Sequence, residues 1–245
     1  MSPTTDYRRA ERAGRAPRLV RAGWLAVLAL ALGLGPGAAA AEPKWHVVAR
    51  EDGITVTKRD LPGRNFPIFR GVGEVEASIW EAMAIVHDVP RYVDWQANCT
   101  VARVLKKVSE TEQFVYTRTW APWPVADRDA VYHATVHVEF KPRFVVEVRF
   151  ESTTLDSVPP VKGLVRMQNT RGFFRLTELG PRRTWVDYHV DADPGGMLPT
   201  WLAKMAVKRV PLEAIKGMRK RAVVTRGKYD EHIRRWKAIA ESMQK

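Results

Sequence analysis

Alternation of apolar and polar positions dominates the middle of this chain. Tyr132, Ala134, Val136, Val138 and Phe140 fall on one face of an extended segment, with His133, Thr135, His137 and Glu139 opposite. Phe144, Val146, Val148 and Phe150 repeat the pattern against Val145, Glu147 and Arg149, and Val186, Tyr188 and Val190 repeat it against Trp185, Asp187 and His189. Ahead of these, Phe114, Tyr116, Arg118 and Trp120 share a face. A period of two is that of a half-buried strand. Further strands are expected at 54–58, after the Asp52-Gly53 turn, at 69–75, and near 165–169 and 173–178. Short turns join them, which predicts a mostly antiparallel sheet with one covered face.

The period changes to that of a helix in two regions. Ser78 and Glu81 form a capping box ahead of Ile79, Met83 and Val86, and Pro90 ends that helix. Leu198, Trp201, Leu202 and Met205 then follow i, i+3, i+4, i+7 spacing. Pro211 is expected to kink or interrupt this helix, and Ile215 and Met218 continue its apolar face. A last helix over 229–243 carries Ile233, Trp236 and Ile239. Strands, a helix, many strands and a long helix make an α+β fold.

The N-terminus is separate. Arg8, Arg9, Arg12, Arg15, Arg18 and Arg21 precede an apolar run from Trp24 to Leu34, then Gly35-Pro36-Gly37 and four alanines. This reads as a secretory signal peptide over 1–41, cut after Ala41 at the Ala39-x-Ala41 site. An uncleaved anchor is the alternative, although the run is shorter than the ~20 residues of a spanning helix. Export implies the periplasm. The net charge of the chain is +13. Residues 1–41 contribute six Arg against Asp6 and Glu11, so thirteen less four leaves +9. Nearly all of that lies between Leu198 and Lys228, where nine basic residues face one acid, Glu213. The basicity is therefore a local feature, suited to an anionic surface. Lys208, Arg209, Lys216, Arg219 and Lys220 are its expected membrane-docking residues.

Candidate chemistry is sparse. Cys99 is the single cysteine, which leaves no disulfide within the chain and no cysteine metal site, and it has no evident base. His133 and His137 are four apart on a strand, ~13 Å, too far to share a metal. Asp127-Arg128-Asp129 lacks a nearby nucleophile and reads as turn-stabilising ion pairs. Arg118 shares a face with aromatic residues, and a buried guanidinium needs a partner. That partner is either an acid from a neighbouring strand or an anionic group of a ligand. No cofactor or metal is expected.

Several stretches, in order, resemble the StAR-related lipid-transfer (START) family. Pro124-Val125-Ala126-Asp127-Arg128-Asp129-Ala130-Val131 is similar to its Pro…Arg-Asp hallmark. Val86-His87-Asp88 and Tyr92-Val93-Asp94-Trp95 resemble the end of its first long helix. Val165-Arg166-Met167 and Asp193-Pro194-Gly195-Gly196 before Leu198-Pro199-Thr200-Trp201-Leu202 resemble its later strand and the turn into its lid helix. The resemblance implies a helix-grip (START/Bet v 1-like) fold over 42–228, a curved antiparallel sheet around the long C-terminal helix, with 229–245 as an added helix. It implies a lipid cavity between them, on whose wall the patterns above place Tyr116, Arg118, Trp120, Tyr132, Tyr188, Leu198, Trp201, Leu202 and Met205. The acid and base that cholesterol-binding relatives carry fall at Arg118 and Ala134, so a cholesterol ligand does not transfer. The expected function is to carry a sterol-like lipid, a hopanoid or a phospholipid, as a monomer that docks transiently on anionic membranes and binds no nucleic acid. The alternative is a cyclase- or hydrolase-like enzyme of the same superfamily, which needs an acid and a base facing the cavity.

Overall fold

The computed structural model describes residues 44–244, so the expected signal peptide lies outside the described residues. Ten strands form a single curved sheet: β1 (His46–Glu51), β2 (Ile54–Arg59), β3 (Ile68–Val75), β4 (Cys99–Lys107), β5 (Glu112–Thr119), β6 (Arg128–Glu139), β7 (Val145–Ser152), β8 (Val165–Arg166), β9 (Asn169–Gly180) and β10 (Arg183–Asp193). Their order is β1-β2-β3-β10-β9-β7-β6-β5-β4, all antiparallel, and β8 adds a two-residue parallel pairing to β6. Helices α1 (Ile79–His87), α2 (Thr200–Val224) and α3 (Asp230–Met243) complete it.

The register shows why one face is covered. Val138, Val146, Leu176 and Val186 sit side by side across β6, β7, β9 and β10. Val136, Val148, Phe174 and Tyr188 form the next row, and Ala134, Phe150, Gly172, Val190 and Phe69 the one beyond. Such rows bring apolar side chains into direct cross-strand contact. The opposite face carries charge pairs, including Arg70–Asp187 and Arg175 between Glu139 and Glu147. The alternation read for β6, β7 and β10 is the observed one.

The helices pack on the apolar face. The Ser78 hydroxyl accepts from Glu81 N, and the Glu81 carboxylate accepts from Ser78 N, the expected capping box at α1. α2 lies across β2, β3 and β10 and runs through Pro211 without a break, contrary to the expected interruption. The reason is tertiary: Pro211 rests on β3 at Gly71, where an added Cβ would lie 2.7 Å from the Pro211 Cβ. Packing of this kind compensates the hydrogen bond that proline cannot donate. Further along, a Cβ at Gly217 would meet the Trp95 carbonyl oxygen at 2.0 Å. The helix therefore seats directly on the turn that follows α1.

α3 packs on α1. Trp236 is fully buried, its ring 5.2 Å from that of His87, and Tyr229 donates to Asp88 at 2.8 Å. Burial, then the nearby His232, holds the His87 pKa down from 6.5 to about 4. A neutral buried imidazole makes a definite pH prediction. The unfolded chain takes up a proton below about pH 6.5 while the folded one resists it until about 4, so stability falls as pH drops through that window. The loss approaches ~3 kcal/mol for this one group. Thermal unfolding of the parent should show this acid-side slope, and His87→Phe should flatten it; equal slopes would remove His87 as the cause.

Candidate functional site

The lid helix does not press flat on the sheet along its whole length. Between its N-terminal half and strands β5, β6, β7, β9 and β10 lies a cavity of about 310 Å³. This is at the lower end of the ~300–1,000 Å³ of ligand sites. Phe69, Val148, Phe150, Phe174, Tyr188 and Val190 form its floor, continuing the cross-strand rows. Tyr132 and Ala134 come from β6, and Leu198, Leu202, Met205, Ala206 and Val210 from the lid. Tyr92, whose hydroxyl donates to the Val86 carbonyl at 2.6 Å, closes one end. Among the described residues the wall has no carboxylate and no imidazole. A polar depression of about 370 Å³ also exists, but its Arg64 and Arg171 are already paired with Asp191. It offers an apolar ligand little surface to exclude from water.

Of the residues expected at the site, Trp120, Tyr132, Tyr188, Leu198, Leu202 and Met205 line the cavity. Tyr116 and Arg118 do not. Val115 pairs with the inward Tyr132, so Val115, Thr117 and Thr119 are the cavity face of β5 and Phe114, Tyr116 and Arg118 the other. Phe114 stacks on His133 at 4.9 Å, and Arg103 lies over the Tyr116 ring at 5.0 Å. Both faces of β5 carry apolar groups, so its pattern is ambiguous on its own. The partner of Arg118 is an acid of the chain: it donates to Asp127 at 2.7 and 2.9 Å. Asp127 also accepts from Ala121 N, and these donors hold its carboxyl below the usual range.

Tyr116 serves a different purpose. Its hydroxyl donates to Asp129, which is fully buried and also accepts two bonds from Arg166 at 2.9 and 3.0 Å. Asp129 at the start of β6 and Arg166 in β8 thus lock the parallel pairing next to the cavity.

Trp201, expected on the cavity wall, also lies elsewhere. It is 55% exposed and does not line the cavity. The helix begins only at Thr200, so the phase counted from Leu198 is not helical; the true inward series is Leu202, Met205, Ala206, Arg209 and Val210. With Trp123 (90% exposed), Met197 (96%) and Trp120 (51%), Trp201 forms an exposed apolar set in the two segments that flank the cavity.

The expected docking residues divide. Lys208, Arg209 and Lys220 are exposed, and Arg209 also lines the cavity. Lys216 is paired with Glu51 and Asp52, and Arg219 donates to the Glu74 and Asp52 carbonyls. Those two fasten α2 to β1–β3, roughly 24 Å along the axis from its start at 1.5 Å per residue. Cys99 lines the cavity with its thiol pKa pushed up to about 11 by burial, which makes it a poor nucleophile. His133 meets Glu112 and His137 meets Thr135.

The pattern had no means of revealing Arg128, Tyr92 or Thr170. Arg128 and Thr170 lie at strand starts and Tyr92 in the short 3-10 helix Val89–Asp94, where periodicity has no reach.

The START domain family profile matches residues 29–224. An uncharacterized protein of Pseudomonas aeruginosa is 31% identical over 81% of this chain and 96% of its own length. The phosphatidylcholine transfer protein of Bos taurus is 23% identical over 71% of this chain and 82% of its own. A STAR-related lipid transfer protein fragment from Xanthomonas axonopodis superposes with a TM-score of 0.65 at 30% identity, covering 73% of this chain and 98% of that one.

Proposed function

Because the chain belongs to the START domain family, we propose that it holds one lipid molecule in the cavity under α2 and carries it between membranes in the periplasm. The observation that carries this reading is the wall itself: mostly aromatic and aliphatic, capped by a helix, and without an acid or imidazole among its described residues. Each methylene moved from water onto such a wall contributes ~0.8 kcal/mol. General acid–base catalysis needs groups within hydrogen-bond reach of a substrate, so the wall favours binding over turnover. The likeness to a phosphatidylcholine transfer protein points in the same direction.

Loading requires the lid to lift. Gly195 and Gly196 stand at φ +62°, where larger residues are strained, immediately before α2. They are suited to act as its hinge, and lifting the lid would admit ligands larger than the closed volume. Docking is the task of the exposed apolar set and of the lysines at the same end, Lys204 and Lys208. Basic groups near an anionic surface contribute ~1 kcal/mol each, and a buried aromatic ~1.5–3 kcal/mol.

The test is transfer of a fluorescent lipid between donor and acceptor vesicles. The protein should accelerate it, more so with anionic acceptors and less with added salt. Trp123→Ala with Trp201→Ala should slow transfer about tenfold or more while equilibrium binding stays within about twofold. Lys204→Glu with Lys208→Glu should abolish the salt dependence. Transfer no faster than the spontaneous rate would reject the reading.

A further inference from the structure

Alternation along a strand has an unusual consequence at Asp127-Arg128-Asp129. Side chains on successive strand residues point to opposite faces. Asp127 and Asp129 therefore turn outward to Arg118 and Arg166, and Arg128, although flanked by two acids, turns into the cavity. It is only 6% exposed. Among the described residues no carboxylate lies within 4 Å of it. Its guanidinium donates to two backbone carbonyls, Ala126 at 2.5 Å and Gly195 at 3.5 Å, and its Nε–H is buried with no acceptor.

Leaving a charged donor buried and unmatched is costly. The ionic groups next to it in sequence and pairing are satisfied, Asp129 by three donors and Arg166 by Asp129 and two carbonyls. Arg209 lines the same cavity from the lid. Thr170 adds a second buried group without a hydrogen bond, its Oγ1, on the cavity wall. A largely apolar wall thus carries a buried cation with one unmatched donor.

We propose that Arg128 is the headgroup anchor of the cavity, receiving an anionic phosphoryl or carboxyl oxygen of an amphiphilic lipid on its free Nε–H. The inference rests on the lipid-binding reading above and adds to it the class of ligand: amphiphiles with one anionic group, phosphodiester or carboxylate, in preference to neutral lipids of the same chain length. Guanidinium suits both, because its planar fork matches two oxygens at once. Burial lowers the Arg128 pKa, which is the same desolvation expressed as proton affinity; an arginine stays charged nonetheless. The long bond to Gly195 ties this residue to the hinge turn, so an anion arriving at Nε–H is felt where the lid opens.

The experiment compares equilibrium binding of four probes: a phospholipid, a long-chain fatty acid, the diacylglycerol matched in chains to the phospholipid, and inorganic phosphate alone. The parent protein should prefer the phospholipid or the fatty acid over diacylglycerol by about tenfold or more, which is ~1.4 kcal/mol; whichever is bound tighter identifies the anion. Arg128→Gln should abolish that preference and leave diacylglycerol binding unchanged. Arg118→Gln, on the outer face, should keep the preference. If Arg128→Gln fails to fold, Arg128→Lys decides, since it keeps the charge, loses the fork and should retain only part of the preference. A parent that binds diacylglycerol as tightly as both anions overturns the anchor and leaves the lipid-binding reading intact. So does an unchanged preference in folded Arg128→Gln. Displacement of lipid by millimolar inorganic phosphate would make this a free-anion site and overturn the headgroup assignment. No binding of any lipid would instead reject the underlying reading.

Discussion

Ala134→Trp should fold and lose most of its lipid affinity. Ala134 lies on β6 between Gln113 and Phe150, and its side chain faces the cavity. An indole there occupies much of a space of about 310 Å³. The ring would lie between Phe150 and Gln113 on the inward face, and filling an existing cavity avoids the strain of overpacking a full core. The thermal midpoint of the ligand-free protein should hold or rise. Lipid affinity should fall by about a hundredfold or more, ~2.7 kcal/mol. Isothermal or fluorescence titration against a single lipid measures it. Undiminished affinity would place the ligand elsewhere.

The largest loss of stability is expected at Asp129→Asn. Asp129 is fully buried and accepts from Arg166 Nε and Nη2 and from the Tyr116 hydroxyl. Removing one partner of a buried pair leaves the other charge uncompensated and costs ~3–5 kcal/mol. For a chain of this size each kcal/mol lowers the midpoint by roughly 2–4 °C, so the fall should be roughly 6–20 °C. The double change Asp129→Leu with Arg166→Met removes both charges and should recover most of it. A double variant worse than Asp129→Asn would show that the pair itself, rather than its imbalance, sustains β8. Calorimetry on the three proteins separates the two.

The same residues show what the sequence could disclose. Strands β6, β7 and β10 each have one apolar and one polar side, so their faces are legible from alternation alone. β5 is not, because Phe114 and Tyr116 are as apolar as Val115, and only its pairing with β6 settles which side is inward. The Ser78–Glu81 cap is a local device and was readable locally. The passage of α2 through Pro211 depends on Gly71, distant in sequence, and no local rule contains it. The lid stripe is legible, but a count that starts at Leu198, two residues ahead of the helix, turns Trp201 inward, whereas it is half exposed. Charge density picks out the basic stretch of α2, yet Lys216 and Arg219 are used up by Glu51, Asp52 and backbone carbonyls. Composition cannot tell a free lysine from a paired one. Arg128 is legible only as one of three alternating charges; its orientation into the cavity, opposite to both neighbouring acids, follows from the strand that begins there.

Native mass spectrometry of the purified protein tests whether one lipid occupies the cavity under α2. The spectrum should show a population heavier by the mass of a single lipid, collapsing to the bare chain mass in Ala134→Trp, with the released species carrying one anionic group. A protein that emerges lipid-free from lipid-containing cells and takes up none from vesicles would contradict it.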